Sequence, residues 1–196
     1  MKNFDIQKLN RWAKEIHDNA TAHGWHEEKH SPEHWLSLIM CEVAEAIEAD
    51  RNGKHADTDK MKKEMDKIRA ANVYSPNENF CSAAFFANYN SYIKSSVEEE
   101  FADIVIRLLD MEYELHGADS LFWIGPRILF RDNKSFAENA WYFVHKVLNS
   151  GMMDVTESVF YVYCWAEHLG INLDQHIEWK MKYNESRPYK HGGKKY

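Results

Sequence analysis

The chain has 196 residues, 44% of them apolar and 28% charged, with a formal net charge of -7. This length supports one sizeable core and one domain, residues 1–196, and the negative charge argues against a nucleic-acid polymer as partner. No apolar run approaches the roughly 18 residues of a membrane span. Cys41, Cys81 and Cys164 lie far apart with no CxxC pair, against a disulfide framework or a cysteine-based zinc site. The opening Met1-Lys2-Asn3-Phe4-Asp5 lacks the apolar core of a signal peptide, so a cytoplasmic location is expected.

Apolar residues recur at helical spacing, and strand-like alternation is scarce. Residues 4–22 read as a first helix, with Ile6, Leu9, Trp12, Ala13 and Ile16 on one face. Ser31-Pro32 opens a second, because serine caps and proline suits the first helical position; it should stop near Asn52-Gly53. In 54–95 a charged stretch at 58–70 suits a short helix, whereas Asn72 to Asn90 is rich in turn formers and aromatics. Ser96-Val97-Glu98-Glu99 has capping-box spacing and opens a helix that ends near Gly117. Gly117 to Asn133 reads as a connector. Ser135-x-x-Glu138 and Asp154-x-x-Glu157 mark two further helix starts with Gly151 between them, and Asn172 caps a last helix to about Glu185. The expected architecture is all-α, a bundle of five or six helices.

Glu42 and Glu45 share a face of the second helix, and Glu100 and Asp103 a face of the helix after Ser96. Each pair borders a strongly apolar stretch, so one bundle can bring the four acids together. Two like charges about 4 Å apart repel by roughly 4 kcal/mol at an effective dielectric of about 20. Bound cations would remove that cost, and all-carboxylate ligation favours Mg²⁺, or Mn²⁺, over zinc. Spacing alone does not separate this arrangement from two solvated amphipathic faces. The basic tail adds an independent element: Lys180, Lys182, Asn184, Arg187, His191, Lys194 and Lys195 extend a helix end into a Gly-Gly loop, where lysine and arginine can donate to phosphate oxygens and Gly192-Gly193 allows close backbone approach. A solubilising basic C-terminus is the plain alternative.

Three blocks resemble the MazG-like all-α nucleoside triphosphate pyrophosphohydrolase superfamily. Leu38-Ile-Met-Cys-Glu-Val-Ala-Glu-Ala-Ile-Glu-Ala-Asp-Arg51 looks like its ExxE helix and Val97-Glu-Glu-Glu-Phe-Ala-Asp-Ile-Val-Ile-Arg-Leu-Leu-Asp110 like its ExxD helix. Lys180-Met-Lys-Tyr-Asn-Glu-Ser-Arg-Pro-Tyr-Lys-His-Gly-Gly-Lys194 looks like its tail. The blocks cover under a third of the chain, in the family's order. The resemblance implies a four-helix core within the bundle, with insertions near 54–95 and 112–165. It also implies hydrolysis of the α–β bond of a (deoxy)nucleoside triphosphate, with Mg²⁺ on Glu42, Glu45, Glu100 and Asp103. It implies phosphate contacts from Lys180, Asn184 and Arg187, with Lys194 a further candidate, and a homodimer or homotetramer. Glu45 is a candidate general base. Two departures stand out: Cys41 sits where many relatives carry glutamate, so a small packed residue is expected there, and Ala166 to Leu173 resembles a segment that usually follows much sooner.

Rival signals are weaker. His26-Glu27-Glu28-Lys29-His30 matches HExxH, but Gly24 and Ser31-Pro32 leave too little helix to align both histidines on zinc. A di-iron bundle needs two ExxH motifs on core helices, and only Glu27-x-x-His30 is present. Trp12, Trp35, Trp123, Trp141, Trp165 and Trp179 read as core or interface anchors, and Trp25 or Trp35 could stack on a base. Arg107 could pair with Asp103 or Asp110. A non-catalytic helical interaction or nucleotide-binding module is the alternative to an enzyme.

Overall fold

The computed structural model describes residues 4–74, 78–122, 125, 130–148 and 154–193, with backbone alone at 71–74, 78–80 and 146–148. These form an all-α bundle. In chain order the helices are α1 (Ile6–Ala22), α2 (Pro32–Arg51), α3 (Thr58–Tyr74), α4 (Glu78–Tyr92), α5 (Val97–His116), α6 (Phe136–Tyr142), α7 (Val155–His168) and α8 (Leu173–Glu185). A π-helical turn, Phe143–Leu148, extends α6, and a four-residue turn, Lys190–Gly193, closes the described tail. No helix among the described residues is long and apolar enough to cross a membrane.

The helix starts follow local chemistry. Asp5, Ser96, Asp154 and Asn172 each accept a hydrogen bond from an N–H of the first turn. Ser135 and Glu138 complete a reciprocal capping box, which holds the Glu138 carboxyl down at about 2 through its bonds to Ser135. Pro32 stands at the start of α2, and Gly117, at φ 81, ends α5.

The bundle is organised around α5, which packs against α1, α2, α7 and α8. Val97, Phe101, Ile104, Val105, Leu108, Leu109 and Met111 are all fully buried, and acids of the same helix are buried beside them, so α5 is enclosed around most of its circumference as a central helix. Leu9 and Trp12 of α1, Ile39 and Val43 of α2, Val159 and Trp165 of α7 and Ile177 of α8 close the main core around it.

In the segment 54–95 the charged stretch forms a helix as expected, whereas the turn-rich reading of 72–90 gives way to a second one. These two, α3 and α4, pack against each other, with Asp57 N–H donating to the Tyr92 carbonyl at 2.8 Å. The turn formers of α4 turn inward on their own helix: Asn90 Nδ2 donates to the Phe86 carbonyl at 2.8 Å and Ser91 Oγ to the Ala87 carbonyl at 2.9 Å. Met61, Phe85, Tyr89, Ile93 and Tyr183 form a satellite core that seats this pair on α8. The bundle therefore exceeds the expected five or six helices by elements inside this segment.

The tail is strapped to the loop between α1 and α2. Lys190 N–H donates to the His23 carbonyl at 3.0 Å, Lys190 Nζ pairs with Glu27 at 2.7 Å, and the Tyr189 hydroxyl donates to Glu27. Gly24 makes this possible. Its φ is +81 and a Cβ there would lie 2.4 Å from the Tyr189 ring. Gly24→Ala should therefore cost about 1–3 kcal/mol and lower the melting temperature. Hydrogen exchange should show the amides of Lys190 and His191 losing protection while those of α5 keep theirs.

Candidate functional site

A cleft of about 980 Å³ opens between α1, α2, α5, α8 and the tail turn, within the range of small-molecule sites. It holds the acids that sequence spacing singles out. Glu42 and Glu45 come from α2 and Glu100 from α5, and one oxygen of each lies within 4.8 Å of the others. Glu42 and Glu100 are buried whereas Glu45 is exposed. Glu42 is held in place by Arg107, whose Nε donates to Glu42 Oε1; Arg107 thus bridges to α2 rather than pairing with Asp103 or Asp110 along its own helix.

Glu100 carries the electrostatic signature of the site. It is 4% exposed and its carboxylate has no hydrogen-bond or ion-pair partner among the described residues. Burial, then the charges of Asp103, Glu99 and Glu45, push its carboxyl up to about 9. A buried acid with three acidic neighbours and no cation of its own is a place where positive charge is missing.

Asp103 sits apart from this trio. Its Oδ2 lies 2.7 Å from Lys180 Nζ, and the same ammonium lies 2.6 Å from Glu99 Oε1. Burial nonetheless raises the Asp103 carboxyl to about 7, with Lys180 working against the rise. Lys180 is itself buried, and Asp103 and Glu99 raise its pKa despite that burial. Lys180 is therefore a clamp between two acids of α5 and not a side chain open to solvent. Glu99 is the residue that sequence reasoning missed. It fits the capping box by spacing, but its carboxylate accepts from Tyr89 Oη at 3.1 Å, from Ser95 N–H and from Lys180.

The other tail residues divide. Arg187 lines the cleft and makes no ion pair among the described residues; its charge rests over the Tyr183 ring at 5.9 Å, and burial lowers its pKa. Asn184 lines the same wall, with its Oδ1 buried and unpartnered. Lys194 and Trp123 lie outside the described residues. Gly192 and Gly193 take φ values of 87 and 97, the left-handed backbone that the Gly-Gly pair permits.

Trp35 lines the cleft but is 4% exposed, and its ring is engaged by histidines: His26 stacks on it at 5.4 Å, while His30 and His34 meet it edge-on at 6.0 Å each. Trp25 packs edge-on to His191 at 5.0 Å. Cys41, expected as a small packed residue, is exposed on the cleft wall because α2 turns that position outward. Residues 23–30 form turns and no helix, so the HExxH histidines diverge, with His26 against Asp110 and His30 stacked on His34 at 4.0 Å. Trp12 and Trp165 are core anchors, whereas Trp141 is exposed and stacks on His145.

No family model, curated protein or solved structure matches the chain.

The raised Glu100 carboxyl has a thermodynamic consequence. A group ordinarily at 4.5 and held at about 9 in the fold binds its proton more tightly folded than unfolded. The contribution of this group in the cation-free protein is therefore flat below about 4.5 and turns increasingly against folding as pH rises from there toward about 9; Asp103, raised to about 7, acts in the same direction. Thermal melts in a chelator should show this slope. Glu100→Gln should flatten it and raise the melting temperature at about pH 8 relative to the wild type.

Proposed function

We propose that the protein is a Mg²⁺-dependent nucleoside triphosphate pyrophosphohydrolase, which cleaves the α–β phosphoanhydride to a monophosphate and pyrophosphate. The observation that carries this reading is the convergence of Glu42, Glu45 and Glu100 in a cleft that Arg187 also lines, with no ion pair of its own among the described residues. A cleft that holds a carboxylate cluster together with a guanidinium outside any ion pair suits a polyanion delivered with divalent metal. The resemblance of the ExxE, ExxD and tail blocks to MazG-like enzymes supports the same reading.

The donor set fits the ion. Three carboxylates with no sulfur or nitrogen among them make a hard-oxygen site for Mg²⁺ or Mn²⁺, and Glu100 lacks the positive charge that such an ion supplies. Bound there, the ion would acidify a coordinated water and offset charge developing on phosphate oxygens. Asp103, one turn beyond Glu100, is the further ligand that the family pattern assigns, and Lys180 positions it.

The protein's own groups then have distinct tasks. Glu45, the exposed member of the trio, is the carboxylate that solvent water reaches, and it accepts the proton of the water that attacks the α-phosphorus. The bond to the bridging oxygen breaks, and that oxygen leaves with pyrophosphate. Arg187 pairs with phosphate oxygens. Asn184 offers its unpartnered Oδ1 to a sugar hydroxyl or, with the amide reversed, an N–H to phosphate. Trp35 and Trp25 wall the base end, where Trp35 contributes apolar surface. A homodimer or homotetramer goes with this reading.

Incubation with a panel of canonical and damaged (deoxy)nucleotides, with products resolved by chromatography, should give monophosphate and pyrophosphate only when Mg²⁺ or Mn²⁺ is present. Orthophosphate release would reject the α–β assignment, and nucleotide binding without turnover would mean a non-catalytic module. Glu42→Gln and Asp103→Asn should each reduce turnover by at least about 100-fold with helical content intact, and Arg187→Ala should chiefly raise KM.

A further inference from the structure

A second cluster lies deeper along α5, behind Trp35. Glu114 follows Asp110 by one helical turn, so both acids face α1 and the loop after it. His17 of α1 and His26 of that loop sit side by side between them, with ring centroids 4.2 Å apart. The four side chains are mostly buried; only Glu114 reaches 25% exposure.

The nitrogens are sorted. Asp110 Oδ1 takes one nitrogen from each ring, His17 Nδ1 at 3.1 Å and His26 Nε2 at 2.9 Å. A carboxylate oxygen can only accept, so both of those nitrogens carry the proton of the neutral ring. In neutral rings the other two nitrogens, His17 Nε2 and His26 Nδ1, carry lone pairs, and both lie near one oxygen of Glu114, at 3.8 and 3.3 Å. Two such nitrogens and a carboxylate oxygen facing each other call for positive charge among them, which a proton on the rings or a metal ion held by all three can supply. Ligands about 2.1 Å from a tetrahedral ion are separated by about 3.4 Å, close to both of these distances.

We infer that His17 Nε2, His26 Nδ1 and Glu114 Oε2 form a binding site for a first-row transition-metal ion of the Zn²⁺ class, with Asp110 orienting both imidazoles from the far side. Two imidazoles and one carboxylate are borderline ligands that select such an ion over Mg²⁺. The hydrogen bond from each ring's other N–H to a carboxylate is the usual outer support of a histidine ligand. Three protein ligands leave one position for water. Asp110 stands seven residues beyond Asp103, about 10.5 Å along the helix, so this ion is distinct from any on the acidic trio. It would cross-link α1, α5 and the loop that carries Gly24 and His26, and so brace the indole of Trp35 on which His26 stacks.

Co²⁺ reports the site directly. Metal-stripped protein in excess Mg²⁺, titrated with CoCl₂, should develop a visible d–d band of four-coordinate intensity that saturates at one Co²⁺ per chain and disappears on adding ZnCl₂. Glu114→Gln and His26→Gln should abolish the band, and Asp110→Asn should weaken Co²⁺ binding by about 10–100-fold. Glu42→Gln and Glu100→Gln should leave it unchanged. Circular dichroism accompanies each variant; Glu114→Gln, at the most exposed member, decides the matter if a histidine variant fails to fold. No band at any Co²⁺ excess, a band that persists in Glu114→Gln, or one lost in Glu42→Gln would overturn the assignment, and none of these outcomes depends on nucleotide hydrolysis.

Discussion

A helix buried on every side can carry carboxylates only if each meets a compensating donor or cation, and α5 carries many. Glu98, Glu99, Glu100, Asp110 and Glu112 are all under a tenth exposed. An isolated ionised carboxylate in such surroundings is far too costly to persist uncompensated. Neighbouring elements are recruited accordingly. The loop before α3 turns His55 and the Ala56 N–H onto Glu98; α4 brings Tyr89, and α8 Lys180, to Glu99; α1 and its loop bring His17 and His26 to Asp110. His116 closes on Glu112 within α5 itself. Helix packing around α5 is therefore also an arrangement of charges, and Glu100 is the buried member for which the described chain supplies none.

The same constraint explains why the tail and the α1–α2 loop belong together. The clamp of Lys180 on Glu99 and Asp103 fixes the start of the last turns of α8, and Asn184 and Arg187 follow it onto the cleft wall. Beyond Arg187 the chain must cross to α1. It is received by His23, whose Nε2 lies 2.9 Å from the Arg187 carbonyl, and by Glu27 and Gly24. One loop thus holds the tail on one side and delivers His26 to α5 on the other.

Much of this was legible in the sequence. Ser135, Asp154 and Asn172 cap where local chemistry says they should, and the ExxE spacing correctly puts Glu42 and Glu45 on one face toward α5. What was not legible depends on partners distant in the chain. Glu99 and Glu100 are adjacent and chemically alike, yet Lys180, 81 residues away from Glu99, clamps the first and makes no ion pair with the second. The spacing of Asp103 could not reveal that the same lysine would hold it. His26 was read as part of a failed HExxH motif. Its real partner, Asp110, is 84 residues distant, and only the packing of the loop on α5 brings them together. In α4, composition suggested turns because asparagine and serine can bond to the backbone, and here they do so without leaving the helix.

Placing a cluster of acids at the edge of a buried helix couples stability to occupancy. Without a cation, ionising Glu100 opposes folding across the neutral range, since its proton is held up to about 9. Any ion or ion–nucleotide complex that prefers the folded state reverses this by mass action, in proportion to RT ln(1 + [L]/Kd). Filling the site with a neutral residue would relieve the strain but remove the reason for it. Such a pattern fits the proposed function: local charge frustration can persist where the rest of the structure, here the buried apolar residues of α5 and its other compensated acids, is stable enough to carry it.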